Sequence, residues 1–302
     1  MAYEKGADPK ARARVVKELT EELEKGVQGL FDSDRYRDYL IAMARFYRYS
    51  SRNCLLILMQ RPSASLVASF SSWQHDFGRH VRKGERGIRI LAPSNRKTSV
   101  LEPVKNQLGE LALDTDGQVR TEFVERRWTA FVPVSVFDVS QTEGDPIPTL
   151  VSELDRPIVG FRELRDKLEA LSPVPVRFAE VPDGTGNGWY SPSRREIVVK
   201  AGMGDAQTIK TLAHEIAHAT LHGPMSEEIP DANTREVQAE SVAFVVCQRL
   251  RIDTSGYSFG YVASWSSGRE AKELLASLDT IRSASCSLIE RLEGAVTHGP
   301  DS

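Results

Sequence analysis

Thr211-Leu212-Ala213-His214-Glu215-Ile216-Ala217-His218-Ala219-Thr220-Leu221-His222 contains the box His214-Glu215-Ile216-Ala217-His218, an H-E-x-x-H pattern set among residues that favour a helix. At about 100° and 1.5 Å per residue, histidines four apart lie about 40° apart around the axis and about 6 Å along it, so both imidazoles can converge on one ion. Imidazole nitrogens suit Zn²⁺. Glu215 follows the first histidine directly and points to the side of the metal, where a carboxylate can take a proton from water that zinc acidifies. Leu212, Ala213, Ile216, Ala217 and Ala219 make the rest of the helix apolar and small, the composition of a buried helix and not of a solvated one. The reading therefore names His214 and His218 as metal ligands and Glu215 as the catalytic residue.

A third ligand has to come from elsewhere. A metzincin needs a glycine three residues after His218 and a histidine six after, and those positions hold Leu221 and Pro224. His222 lies one turn past His218, at the expected helix end before Gly223-Pro224, where a ligand and a helix-terminal histidine are both open readings. In the next helical stretch, Thr234 to Val246, Glu236 and Glu240 stand four apart on one face while Val237, Ala239, Val242, Ala243 and Val246 supply an apolar remainder. This arrangement resembles the gluzincin pattern, which implies that Glu236 binds zinc and Glu240 hydrogen-bonds a ligand histidine from behind. The reverse assignment of the two acids stays open.

With 302 residues, 40% of them hydrophobic and 27% charged, the composition is that of a soluble globular protein with room for two cores. The first residues lack an apolar leader, and no run approaches 18 apolar residues, so the expectation is a cytoplasmic chain with no membrane partner. Cys54, Cys247 and Cys286 are odd in number and far apart, which reads as buried thiols in a reducing compartment. The net charge of −3 hides an asymmetry. From Arg35 to Lys97 there are thirteen Arg and Lys against Asp38, Asp76 and Glu85, a local net charge of +10. Phe46, Tyr47, Tyr49, Phe70, Trp73 and Phe77 are interleaved with these cations, and stacking faces beside phosphate-neutralising charges are what single-stranded DNA requires. Arg52, Asn53, Trp73, Arg79, Lys83 and Arg86 are the expected DNA-binding residues, with Trp73 stacking on bases.

Hydrophobic periodicity predicts helices over residues 9 to 29, from Asp34 as cap through Phe46, over Asn53 to Met59, and around Trp73. Strands are expected at Ile88 to Leu91 and Arg127 to Phe137, with residues 94 to 121 a polar, irregular insertion or exposed hairpin. Glycines, prolines and acids interrupt the pattern between Ser140 and Pro157, giving a domain over residues 1–140, a linker over 141–157 and a second domain over 158–302. The second domain reads as a helix from Phe161 to Leu171, strands at Val174 to Val181 and Arg195 to Val199 joined as a hairpin through the turn-rich segment from Asp183 to Gly188, the two metal helices, and a closing helix from Gly268 to Leu292. The fold class is α+β.

Two stretches carry resemblances. Gly188 to Val199, Thr211 to Thr220, Glu236 to Ala243 and Tyr261 to Trp265 resemble the metallopeptidase domain of ArdC-type antirestriction proteins, itself similar to the ImmA/IrrE peptidases. Asn53 to Leu58, Phe70 to Trp73, Gly78 to Ile88 and Val136 to Thr142 resemble the ArdC N-terminal single-stranded-DNA-binding domain. The resemblance implies a protein of mobile DNA that shields incoming single strands from restriction and carries a zincin-like metallopeptidase site with a small sheet. Two alternatives stand beside it: an ImmA/IrrE-like regulatory protease that cleaves a repressor, and a DNA-protecting protein with purely structural zinc. Single-stranded DNA is the expected partner, with double-stranded DNA and a protein or peptide substrate as further candidates.

Overall fold

The protein is described by a computed structural model over residues 9–105, 111–113, 116–146, 160–181, 186–224 and 229–294. It opens with three helices, α1 (Pro9–Gln28), α2 (Ser33–Arg45) and α3 (Ser51–Gln60). Leu19, Leu23 and Val27 recur every four residues along α1 and are buried, as one apolar stripe requires. The cap of α2 is Asp32 and not Asp34: its carboxylate accepts the Asp34 backbone N–H, which moves the helix start back to Ser33. Ser50 caps α3 in the same way through Asn53 N–H.

A three-stranded antiparallel sheet follows in the order β1 (Val67–Ser69), β4 (Thr121–Asp138), β3 (Ile88–Pro103), with α4 (Phe70–His75) after β1. β2 (Arg79–Val81) pairs antiparallel with β5 (Thr142–Gly144). The sheet is larger than the periodicity predicts. β3 and β4 stay paired from Ile88 opposite Val136 out to Pro103 opposite Thr121, so the stretch expected to be an irregular insertion or an exposed hairpin begins as a hairpin ribbon. Bridges from Lys105 to Leu111 and from Leu113 to Val119 extend it, while residues 106–110 and 114–115 of the expected insertion lie outside the described residues. The expected linker lies largely outside them too, since 147–159 are not described.

The second half comprises α5 (Phe161–Leu171), strands β6 (Val176–Ala179), β7 (Gly188–Ser191) and β8 (Glu196–Lys200), and helices α6 (Asp205–Leu221), α7 (Ala232–Arg249), α8 (Val262–Ser266) and α9 (Ala271–Glu293). The order is β6-β8-β7, with β6 parallel to β8 and β7 antiparallel to it. This corrects the expected hairpin. The tight turn lies between β7 and β8, where Arg195 takes φ 52°, and the glycine-rich segment connects β6 to β7, its residues 182–185 lying outside the described residues. Ile197, Val198 and Val199 of β8 are fully buried, and Ile197 and Val199 belong to the same core as the α6 side chains. One continuous hydrophobic core holds side chains from α1 to α3 together with those of α6, α7 and α9. None of the described helices is long and apolar enough to cross a membrane.

Candidate metal centre

Helices α6 and α7 pack face to face and place the predicted residues at one point. His214 Nε2 and His218 Nε2 are 3.0 Å apart, and Glu236 of α7 closes the triangle at 3.6 Å from the first and 3.4 Å from the second. Ligand atoms of all three lie within 4.8 Å of one another. Two imidazole nitrogens this close need either a shared proton or a cation between their lone pairs. A tetrahedral ion with ligands about 2.0 Å away has edges of about 3.3 Å, the spacing that these three separations bracket. The donor set of two imidazoles and a carboxylate fits a divalent ion. The side chains of His214 and His218 are mostly buried, whereas that of Glu236 is 62% exposed, so the cluster opens to solvent on the α7 side.

Electrostatics couple the cluster. Burial pushes the His214 imidazole down, but the carboxylates of Glu236 and Glu240 outweigh it and raise the group to about 10. Its bonds to His214 and His218 hold the Glu236 carboxyl far below the usual carboxylate range. Glu240 Oε2 sits 3.0 Å from His214 Nδ1, on the side away from His218, a close approach whose N–H alignment falls short of a hydrogen bond. The structure thus brings Glu236 to the cluster and Glu240 behind it. Glu215 is buried beside the pair, and that burial raises its carboxyl, with partial opposition from His214 and His218. It lines a cleft of about 320 Å³ together with Gly188, Lys210, His214 and Tyr257. Gly188 lets β7 approach α6 here, because a Cβ on it would stand 2.7 Å from Thr211 Cγ2 and 2.8 Å from Val198 O. His222 caps the C-terminus of α6, buried, with its ring turned to His218 Nδ1 and not into the ligand triangle. Its burial pushes its pKa below the ordinary histidine value.

The expected DNA-binding residues do not gather in one place. Trp73 is fully buried, packed against the tilted Phe77 ring, with Nε1 donating to Phe137 O, so it has no face left for a base. Asn53 uses its amide to donate to Leu91 O and accept from Leu91 N–H, and Gln60 does the same at Arg89, satisfying the outer edge of β3. Arg79 donates to Thr142, Gly144 and Asp145, which ties β2 to β5. Arg52 pairs with Asp279 of α9 at 2.8 Å. In this fold all four side chains already make structural contacts. Lys83 and Arg86 are exposed on the loop before β3. The most exposed aromatic rings among the described residues lie on the ribbon, at Phe123, Trp128 and Phe131, with the Arg96 guanidinium 5.8 Å from the Trp128 ring centroid; Phe70, Trp189 and Tyr261 are exposed elsewhere. Phe123, Trp128 and Phe131 were not among the expected DNA-binding residues; large aromatics set among the charged residues of 120–127 were the available signal.

Comparison with known proteins adds a family. Residues 9–131 match the N-terminal domain of the anti-restriction factor ArdC. An uncharacterized protein of Bacillus anthracis is 27% identical over 84% of this chain, which spans 47% of that relative's length. The metal-free crystal structure of the antirestriction ArdC protein from the R388 plasmid is 18% identical, with a TM-score of 0.47 over 82% of this chain and 87% of that one. The Mn(II)-bound structure of the same protein is 17% identical, with a TM-score of 0.44 over 82% and 84%.

Proposed function

For a chain whose residues 9–131 belong to the family of ArdC N-terminal domains, we propose an antirestriction-type protein that binds single-stranded DNA and carries a zinc-dependent peptidase site. The observation that carries the enzymatic part is the convergence of His214, His218 and Glu236 beside the buried Glu215. Zinc held by those three side chains would polarise a peptide carbonyl and acidify water. Glu215, its carboxyl raised by burial, takes the proton of the attacking water and passes it to the leaving amine. Glu240 orients His214 from its Nδ1 side. The cleft beside Glu215 leaves room for an extended chain along β7, an edge strand of its sheet among the described residues.

The DNA part rests on the exposed cations Lys83 and Arg86 and, farther along the ribbon, on exposed aromatics, with Phe123 and Phe131 on one face and Trp128 beside Arg96 on the other. Metal analysis, casein or peptide hydrolysis and an oligonucleotide shift on the full chain test both parts. Glu215→Gln is expected to retain one zinc per chain, abolish hydrolysis and leave the shift unchanged. Hydrolysis that persists in this variant would remove Glu215 from the reaction, and a chain that takes up no zinc would remove the metal reading.

A further inference from the structure

His218 does not end at its ligand nitrogen. Its Nδ1 lies 3.1 Å from Nδ1 of His222; His222 Nε2 lies 2.9 Å from Gln238 Oε1; and Gln238 Nε2 donates to Ser277 Oγ at 3.1 Å. The chain runs from α6 through α7 to α9. His222, Gln238 and Ser277 are each 6% exposed, so water offers little substitute for a lost partner.

Proton bookkeeping gives this chain a direction. Gln238 presents its carbonyl to His222, so His222 carries its proton on Nε2 and has a bare Nδ1. A bare Nδ1 on His222 accepts only from a protonated Nδ1 on His218. A neutral His218 protonated there has its lone pair on Nε2, the atom turned toward His214 and Glu236. The opposite arrangement, with the proton on His218 Nε2, would set two lone pairs against each other at Gln238 unless its amide turned over.

We infer that His222, Gln238 and Ser277 form a positioning chain that locks the ring and tautomer of His218, leaving its Nε2 ready to bind a metal. This inference rests on the metal-centre reading above and adds to it residues outside the H-E-x-x-H box and the α7 acids. His214 has an acid, Glu240, close behind its Nδ1, whereas His218 has a neutral relay there. Losing such a partner typically costs about 10- to 100-fold in metal affinity.

The experiment measures zinc affinity by competition with a chromogenic chelator for the wild-type chain, His222→Leu and His222→Asn. It also assigns histidine tautomers by ¹⁵N NMR in the metal-free wild type. His222→Leu fills the site without an acceptor and is expected to weaken zinc about 10- to 100-fold. His222→Asn places a carbonyl near the former Nδ1 and is expected to recover most of that loss, an order that packing alone would reverse because the asparagine is shorter and polar. Wild-type affinity in His222→Leu, or no recovery in His222→Asn, would overturn the chain. So would an NMR assignment of the His222 proton to Nδ1, and this readout decides even where a variant fails to fold. A wild type that binds no zinc would fault the metal-centre reading itself, while the tautomer assignment would still judge the relay.

Discussion

Asp138 shows how one buried carboxylate can organise a surface loop. Its Oδ1 accepts the backbone N–H groups of Ser65 and Leu66, and its Oδ2 accepts the N–H and hydroxyl of Ser140. Gln141 accepts the Asp138 N–H and donates to Glu85 and to Arg86 O, fastening the loop that carries Lys83 and Arg86. Burial works to raise the Asp138 carboxyl, but these donors prevail and hold it below its ordinary value. Asp138→Asn points an amide donor at other donors and is expected to cost about 1–3 kcal/mol in chemical denaturation. Because the folded carboxyl is depressed, its contribution is complete above about pH 4 and fades as pH falls through the lower folded value. The gap between wild type and variant should therefore close in acid; a constant gap from pH 7 to pH 3 would contradict this assignment. Residue identity carries such roles unevenly. His214 and His218 were legible because helical spacing turns a sequence interval into a shared point, and Glu236 was named by resemblance to the gluzincin pattern, whereas Trp73, Asn53 and Arg79 have types that serve a surface or an interior equally.

The β3–β4 ribbon extends that contrast to whole elements. Helices α1 and α5 were legible because each buries one face and so prints its period in the sequence, while α6 and α7 were legible from the histidines and acids set in mostly apolar, buried runs. Beyond Pro93 and Phe131 most ribbon side chains are exposed on both faces, so strand alternation leaves no hydropathy contrast to read. The parallel pairing of β6 with β8 was hidden for another reason, since it depends on a connection and not on local pattern. With Phe123 at 74% exposure and Phe131 and Trp128 also open, the ribbon is where stacking is expected. Replacing Trp128 and Phe131 by Ala should weaken a labelled single-stranded oligonucleotide by roughly 1–3 kcal/mol per lost base contact, with little change in salt dependence. Lys83→Ala with Arg86→Ala should instead flatten the plot of log affinity against log salt by about 1.4, two phosphate contacts at about 0.7 each. Fluorescence anisotropy at several salt concentrations separates the two; equal slopes in all variants would leave the loop cations without a phosphate role.

At the scale of the whole molecule, the N-terminal helices and the metal helices share one interior. Tyr36 of α2 bonds Ser241 of α7 at 2.7 Å, one residue from Glu240, with both side chains buried. Arg282 of α9 donates to the carbonyls of Tyr49 and Arg48, and Tyr47 donates to Glu293. Buried contacts thus bridge the expected division into residues 1–140 and 158–302. A ligand that binds only the folded state stabilises whatever unfolds with its site, by about 2.7 kcal/mol at one hundred times its dissociation constant. Zinc bound between α6 and α7 is expected to raise the melting temperature of a single calorimetric transition. It should also increase amide protection in α2 and α3 as well as in α6 and α7. Tyr36→Phe removes the hydroxyl that reaches Ser241 and should weaken this coupling, so that zinc protects α2 less while protecting α6 as before. Hydrogen exchange measured with and without zinc reads both outcomes. Two separate transitions, with zinc moving only the one that reports on α6 and α7, would mean that the shared interior does not couple the parts.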